Sequence, residues 1–252
     1  MIFLRSAIFN ALFYTNMILL MIIGLPTLLI SRHAVFSLAR AWAKSSLWLL
    51  KVICGVEAEF RGAGNIPKGG YLIAPKHQSI WETFALCLYF PDFSFILKRE
   101  LTWIPFFGWY LIRAEQIAIN RSSGSAALAE AIQRSREILA QGRQVFIFPE
   151  GTRRPVGAVP SYKFGVAQIY AQANAACVPV ALNSGLFWPR RSFIRRPGKI
   201  LVEFLEPIPP GIERSAFFNL LQDKMEEATN RLVEESIRAN PKLRAVLNPP
   251  RA

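Results

Sequence analysis

The sequence predicts an α/β fold in which helices cover a mostly mixed β-sheet, preceded by a helical membrane anchor. After about residue 56, seven short apolar runs rich in branched or aromatic residues alternate with longer amphipathic runs. Before that point, a long uncharged stretch replaces the alternation. We therefore divide the chain into anchoring helices over residues 1–55 and a single α/β domain over residues 56–252.

The first element is an apolar run over residues 7–30, which contains no charged residue and lies between Arg5 and Arg32. As one helix it would be roughly 36 Å long, against a hydrocarbon core of about 30 Å. The run does not end in a small-residue cleavage site, as a secretory signal peptide would. It is therefore expected to associate with a membrane.

A basic amphipathic stretch follows at once, and Gly24 and Pro26 interrupt the apolar run before it. Two arrangements are open: a transmembrane helix followed by a surface helix, or a hairpin that dips into the bilayer without crossing it. Lysines and arginines lie predominantly after the run, which places the main body on the cytoplasmic side, here of the inner membrane.

The charge balance predicts an anionic partner. The formal net charge is +13, and 52% of the residues are hydrophobic. No nucleic-acid-binding motif is evident, and an anchored chain meets anionic lipid first, so we expect membrane lipid rather than nucleic acid. The three cysteines are scattered without metal-ligand spacing and are expected to be ordinary buried thiols.

Within the α/β domain, the strands and helices can be placed in order. The predicted strands cover residues 56–60, 71–74, 93–97, 116–119, 144–148, 178–183 and 200–205. The predicted helices cover residues 80–89, 125–140, 164–174 and 215–238, and Gly142 is expected to end the second of them. Residues 241–252 are expected to be irregular.

Two aromatic segments admit two interpretations each. The segment over residues 103–109 either lines a channel for an acyl chain or packs in the core. The segment over residues 186–196 interleaves aromatics with arginines, and either contacts the membrane or forms a solvated basic loop with its aromatics packed inward.

His77, one of only two histidines, follows a predicted strand and precedes Glu82 by five positions. In a continuous helix the two would be about 140° apart, but a turn before the helix would let Glu82 fold back towards the ring. A carboxylate on one ring nitrogen leaves the other free to accept a proton. The alternative is a structural histidine beside a glutamate favoured by the helix dipole.

A second constellation follows the apolar strand over residues 144–148, where Glu150, Gly151, Thr152 and Arg153 come in succession. Ligands of α/β sheets gather beyond the carboxyl ends of the strands. Glycine allows close backbone approach, and an arginine can bind a phosphate through two parallel hydrogen bonds. The alternative is a surface turn with solvated arginines.

Together these stretches resemble the motifs of the glycerolipid acyltransferase family, especially its bacterial members that acylate 1-acylglycerol-3-phosphate. The first motif is similar to His77, Ser79 and Glu82, the second to residues 98–101 with Pro105 and Gly108, the third to residues 148–153, and the fourth to residues 178–180. Asn120 and Arg121 fit the arginine position that trails the second motif. The four motifs occur in family order over residues 76–182.

The resemblance implies an acyltransferase of phospholipid biosynthesis. His77, oriented by Glu82, would deprotonate the sn-2 hydroxyl of lysophosphatidic acid, and the alkoxide would attack acyl-CoA or acyl carrier protein directly to give phosphatidic acid. Substrate binding would fall to Lys98, Arg121, Glu150, Gly151, Thr152 and Arg153, with oxyanion donors near Gly151 or Lys98. No metal or cofactor is expected.

The sequence departs from the family pattern at two positions. Glu82 stands where the family usually has Asp, and its extra methylene moves the carboxylate by about 1.5 Å. Lys76 stands where Asn is usual, and either contacts substrate phosphate or is solvated. Two alternatives follow: an acyltransferase for another lysolipid, such as a lyso-ornithine lipid, or a non-catalytic membrane protein.

Overall fold

A computed structural model, which describes residues 1–247, contains one seven-stranded sheet. The strands are β1 (Val56–Arg61), β2 (Leu72–Pro75), β3 (Phe93–Lys98), β4 (Ile117–Ile119), β5 (Gln144–Phe146), β6 (Cys177–Leu182) and β7 (Gly198–Phe204). Their order across the sheet is β1-β7-β6-β2-β5-β3-β4. Only β6 and β7 pair antiparallel; the other neighbours are parallel. The predicted mixed sheet is confirmed.

Buried side chains alternate between the two faces of this sheet. In β2, Ile73 packs into one core cluster, whereas Leu72 and Ala74 pack into the other. Strands β2, β5 and β6 are fully buried, which explains why their sequences are nearly continuous apolar runs.

Helices cover both faces of the sheet. They are α1 (Ile2–Ile23), α2 (Thr27–Ile30), α3 (Arg32–Leu49), α4 (Trp81–Ala85), α5 (Phe107–Arg113), α6 (Ser125–Ala140), α7 (Gly165–Ala173), α8 (Arg214–Ala239) and α9 (Arg244–Leu247). The core cluster around Ile73 takes side chains from α1, α3 and α4, and the cluster around Leu72 from α6, α7 and α8. Gly142 follows α6 with φ +76° and donates its N–H to the carbonyl of Leu139, as predicted for a helix end.

The apolar run over residues 7–30 does not form one helix. Helix α1 starts at Ile2 and ends at Ile23, and it is long and apolar enough to cross a membrane. A Cβ on Gly24 would lie only 2.2 Å from Leu38 Cδ2, so this glycine allows α3 to approach closely. Helices α1 and α3 then run antiparallel, with Asn16 Nδ2 donating to Ser45 Oγ at 2.8 Å. The two helices form an antiparallel hairpin, which is compatible with both predicted membrane arrangements.

The hairpin is packed into the α/β domain. Phe9 and Phe13 are buried, and both contact Trp188, with ring centroids 5.3 and 5.5 Å away. Arg195 is also buried, and its guanidinium lies 4.0 Å from the Trp188 ring centroid and donates to Asn10 Oδ1 at 2.7 Å. Trp188 and Arg195 of the aromatic-arginine segment therefore pack inward.

Several local predictions need correction. The helix predicted over residues 80–89 is α4 followed by a 3₁₀ turn at Leu86–Leu88. Helix α5 was not predicted. Residues 241–247 form a 3₁₀ turn and α9 instead of irregular chain, and the rest of that predicted tail lies outside the described residues.

The aromatic segment around α5 does not pack as a core. Trp103, Phe106, Trp109 and Ile112 are all exposed. We call these four residues the α5 apolar patch.

Candidate active site

His77 lies two residues beyond β2, at the carboxyl end of a strand in the middle of the sheet. Its backbone N–H donates to Glu150 Oε2 at 2.9 Å, and its carbonyl accepts from the N–H of Arg154 at 2.7 Å. The loop after β5 therefore holds the main chain of His77 from both sides. The two sequence constellations meet here.

The imidazole is oriented by Glu82. Nδ1 of His77 lies 2.9 Å from Oε1 of Glu82, and the ring stacks on Phe148 with centroids 3.9 Å apart. An ionised carboxylate only accepts hydrogen bonds, so Nδ1 carries the proton and Nε2 keeps a lone pair. This arrangement equips Nε2 to act as a base.

The Glu82 carboxylate is buried and receives donors on both oxygens. Oε1 accepts from the backbone N–H groups of Gln78 (2.8 Å) and Ser79 (2.7 Å), and Oε2 accepts from Ser184 Oγ (2.8 Å). Sequence reasoning missed Ser184. In the sequence, Ser184 is marked only as a hydroxyl residue two positions beyond β6. The carboxyl end of β6 lies beside that of β2 because these strands are parallel neighbours.

The loop after β5 is shaped by Gly151. This residue has φ +65°, a conformation that costs little for glycine and more for other residues. Its carbonyl accepts from Arg121 Nη1 at 2.6 Å, which brings the second and third motifs together. Its N–H donates to the carbonyl of Phe148 at 3.0 Å, so of the N–H groups near Gly151 that were predicted as oxyanion donors, its own is already occupied.

The remaining predicted substrate-binding residues lie around this loop. Thr152 is exposed and Arg153 half-buried, one and two residues beyond Gly151. Lys98 is exposed at the carboxyl end of β3. The structure therefore places these side chains at the same edge of the sheet as His77.

Glu150 does not face solvent. It is buried, and burial raises the pKa of its carboxyl group, opposed by the nearby Lys76 ammonium and the N–H of His77. Both of its oxygens are occupied by protein donors, so Glu150 holds the main chain of His77 instead of contacting substrate, the function predicted for it.

Neither expectation for Lys76 is correct. Its side chain is only 6% exposed, and its ammonium group lies 3.1 Å from Glu150 Oε1 and contacts Glu226 of α8. The residue is therefore neither solvated nor positioned to contact substrate.

The cysteines are buried, as predicted. Burial raises the pKa of Cys54 to about 11 and that of Cys87 to about 12, and it also raises the pKa of Cys177. None of the three is a thiolate at neutral pH, so none is poised as a nucleophile.

Comparison with known proteins identifies the family. A family model described as Acyltransferase matches residues 57–183, about half of the chain and all four motifs. The chain belongs to the acyltransferase family. A similar family member is the 1-acyl-sn-glycerol-3-phosphate acyltransferase of Pseudomonas aeruginosa, 42% identical over 161 residues, covering 64% of this chain and 63% of the relative.

A second acyltransferase relative is the chloroplastic 1-acyl-sn-glycerol-3-phosphate acyltransferase LPAT1 of Arabidopsis thaliana. It is 29% identical over 222 residues, covering 85% of this chain and 60% of the relative. The chain thus spans about three fifths of the length of these two curated relatives.

The fold of this acyltransferase is also found in a solved structure. The crystal structure of the 1-acyl-sn-glycerophosphate acyltransferase PlsC from Thermotoga maritima matches with a TM-score of 0.70 and 23% identity. The match covers 90% of this chain and 98% of that one.

Proposed function

We propose that the protein transfers a fatty acyl group from acyl-CoA or acyl carrier protein to the sn-2 hydroxyl of lysophosphatidic acid, giving phosphatidic acid. The observation that carries the proposal is the His77–Glu82 pair beside the loop that contains Arg153. The names of the two relatives support the same acceptor.

In the proposed reaction, Nε2 of His77 removes the proton from the acceptor hydroxyl while Glu82 stabilises the resulting imidazolium. The alkoxide attacks the thioester carbonyl and forms a tetrahedral oxyanion. When this intermediate collapses, the carbon–sulfur bond breaks and the thiolate takes the proton from the imidazolium. No acyl-enzyme forms.

The oxyanion requires a hydrogen-bond donor near the base. Among residues 1–247, the backbone N–H of Thr152 has no hydrogen-bond partner, unlike that of Gly151. We assign it this function. A single oxyanion donor typically contributes about 10²- to 10³-fold to kcat.

Arg121 and Arg153 are the proposed ligands of the acceptor phosphate, with Lys98 at the adjacent strand end. An arginine fork matches the geometry of phosphate oxygens. Arg121 also binds the carbonyl of Gly151, so its guanidinium is held next to the loop.

We further propose that the protein works at the cytoplasmic face of the inner membrane, with its N-terminal hairpin in the lipid. Most of the outer surface of α1 is apolar and exposed, including Phe3, Leu12 and Leu19. The α5 apolar patch extends this surface, because Tyr110 Oη donates to the carbonyl of Met21 in α1. A lysolipid and an acyl chain both prefer this environment.

The decisive experiment measures labelled-acyl transfer by purified protein in lipid, with both donors and several lysolipids. Transfer to lysophosphatidic acid that disappears in His77→Ala supports the proposal. Transfer only to a phosphate-free acceptor, such as a lyso-ornithine lipid, would refute the proposed substrate. Wild-type turnover by His77→Ala would refute the mechanism.

A further inference from the structure

A cluster of charged and polar side chains, two buried and two half-buried, adjoins the main chain of His77. It consists of Lys76, Glu150, Glu226 and Tyr162, drawn from the end of β2, the loop after β5, helix α8 and the segment before α7. The proposed reaction uses none of Lys76, Glu226 and Tyr162.

Glu150 connects this cluster to the catalytic histidine. Its Oε2 accepts the backbone N–H of His77 at 2.9 Å, and its Oε1 lies 3.1 Å from Lys76 Nζ. A buried carboxylate without a cation tends to take up a proton, and it would then lose acceptor capacity. Lys76 therefore keeps Glu150 available to hold the main chain of His77.

Lys76 is itself held in place from two directions. Its backbone N–H donates to the carbonyl of Val180 in β6 at 2.9 Å. Its ammonium group contacts Glu226 and lies 5.3 Å from the ring centroid of Tyr162, whose hydroxyl donates to Glu226 at 2.9 Å. Helix α8 thus supplies the outer partner of a chain of contacts from Glu226 through Lys76 and Glu150 to His77.

We propose that Lys76 and Glu226 are positioning residues for His77, which act through the carboxylate of Glu150. The cluster sets the position of the His77 backbone and hence the placement of the imidazole. This inference rests on the proposed acyltransferase function and extends it to helix α8, about 150 residues away in sequence.

The first test is kinetic and uses Lys76→Met, Glu226→Gln, the double variant, and Glu227→Gln as control. Glu227 is the exposed neighbour of Glu226 in α8. Lys76→Met is expected to lower kcat by about 10- to 100-fold, because small misplacements of a catalytic group have effects of this size. Glu226→Gln is expected to lower kcat less, and Glu227→Gln to leave it unchanged.

The KM values for both substrates are expected to change by less than about twofold, because neither residue contacts substrate. The double variant is expected to be no slower than Lys76→Met alone, because Glu226 acts through Lys76. Additive losses, or a higher KM for lysophosphatidic acid at unchanged kcat, would overturn the inference.

The second test does not need activity. The chain has two histidines, so ¹⁵N-histidine labelling of the full-length protein in detergent micelles gives two separate imidazole signals. The His77 nitrogens are expected to shift in Lys76→Met and Glu226→Gln but not in Glu227→Gln, and His33 serves as the internal reference. An unshifted His77 signal in both variants would overturn the inference.

The two tests separate this inference from the function on which it rests. Wild-type protein that acylates no lysolipid would contradict the proposed function, and the imidazole signals would still decide the positioning of His77. If Lys76→Met does not fold, Glu226→Gln decides on its own, because that side chain is 19% exposed and the substitution keeps its shape.

Discussion

Nδ1 of His77 lies 2.9 Å from Oε1 of Glu82, although a continuous helix would turn these two residues away from each other. The contact forms because His77 precedes α4, whereas Glu82 is the second residue of that helix. Glu82 folds back and accepts the N–H groups of Gln78 and Ser79 with the same oxygen that contacts the ring. The side chain of glutamate, one methylene longer than that of the aspartate usual at this position, is therefore long enough to reach back across this turn.

Glu82→Gln is expected to lower kcat by about 10²- to 10⁴-fold, the usual contribution of general-base catalysis. The amide oxygen would still accept from Nδ1 and from the N–H groups of Gln78 and Ser79, but a neutral amide stabilises the imidazolium less than a carboxylate does. Glu82→Asp, which keeps the charge but is shorter, should retain more activity than Glu82→Gln. Steady-state kinetics of both variants checks this, and equal activities would show that the charge is unimportant.

Ser184→Ala is expected to destabilise the protein by about 1–3 kcal/mol, because a buried carboxylate oxygen loses its donor. It should also lower kcat through looser placement of Glu82. Ser135→Ala is the matched control, since the buried Ser135 hydroxyl has no partner among residues 1–247. Denaturation and kinetics of the pair provide the measurement. A similar loss of stability in both would contradict the assigned contact.

Arg121→Ala is expected to lower kcat/KM by about 10- to 150-fold, corresponding to about 1.5–3 kcal/mol for a charged hydrogen bond. Most of the loss should be a higher KM for lysophosphatidic acid. Arg231→Ala, which removes an exposed arginine paired with Glu203, should have no effect. If the KM of the acyl donor rises instead, Arg121 contacts the donor, and our assignment of Arg121 to the acceptor phosphate is wrong.

Arg143→Met is expected to reduce the free energy of unfolding by about 1.5–3 kcal/mol, the usual contribution of hydrogen bonds to charged groups, because Asp92 and Glu115 both lose a buried donor. Arg143 is 3% exposed and pairs with Asp92 at 2.8 Å and Glu115 at 2.6 Å. Arg134→Met, at an exposed pair with Glu137, should cost less than about 1 kcal/mol. Urea denaturation in detergent measures both, and equal losses would refute the prediction.

Replacing Trp103 and Trp109 of the α5 apolar patch by Glu is expected to weaken binding to anionic vesicles. Both side chains are at least half exposed, so the substitutions remove apolar area and add repulsive charge without opening the core. The double substitution of Ala126 and Ala129 by Glu, at exposed positions of α6 across the sheet, is the charge-matched control. Flotation of the full-length proteins with vesicles compares them, and unchanged flotation of the tryptophan double variant would exclude the patch as a lipid contact.

Local pattern predicted much of this fold. All seven strands occur within a few residues of their predicted positions, and α6 has the predicted bounds, because short apolar runs and helical spacing are local signals. Helix α5 was missed because it is only seven residues long and buries only Gly108 and Tyr110, which is too short a pattern to show helical periodicity. The break after Ile23 was marked by Gly24 and Pro26, but the close packing on Leu38 is a tertiary contact.

The sequence by itself determined the α/β class, the family motifs and the pairing of His77 with a carboxylate, since these depend on spacing within short segments. Only the tertiary structure decided what surrounds them. Ser184 and Glu226 reach the site from β6 and α8, and Lys76 points into a cluster of charged and polar side chains instead of towards substrate. These contacts join residues up to 150 positions apart. Contacts between such distant residues produce no local sequence pattern from which they could be predicted.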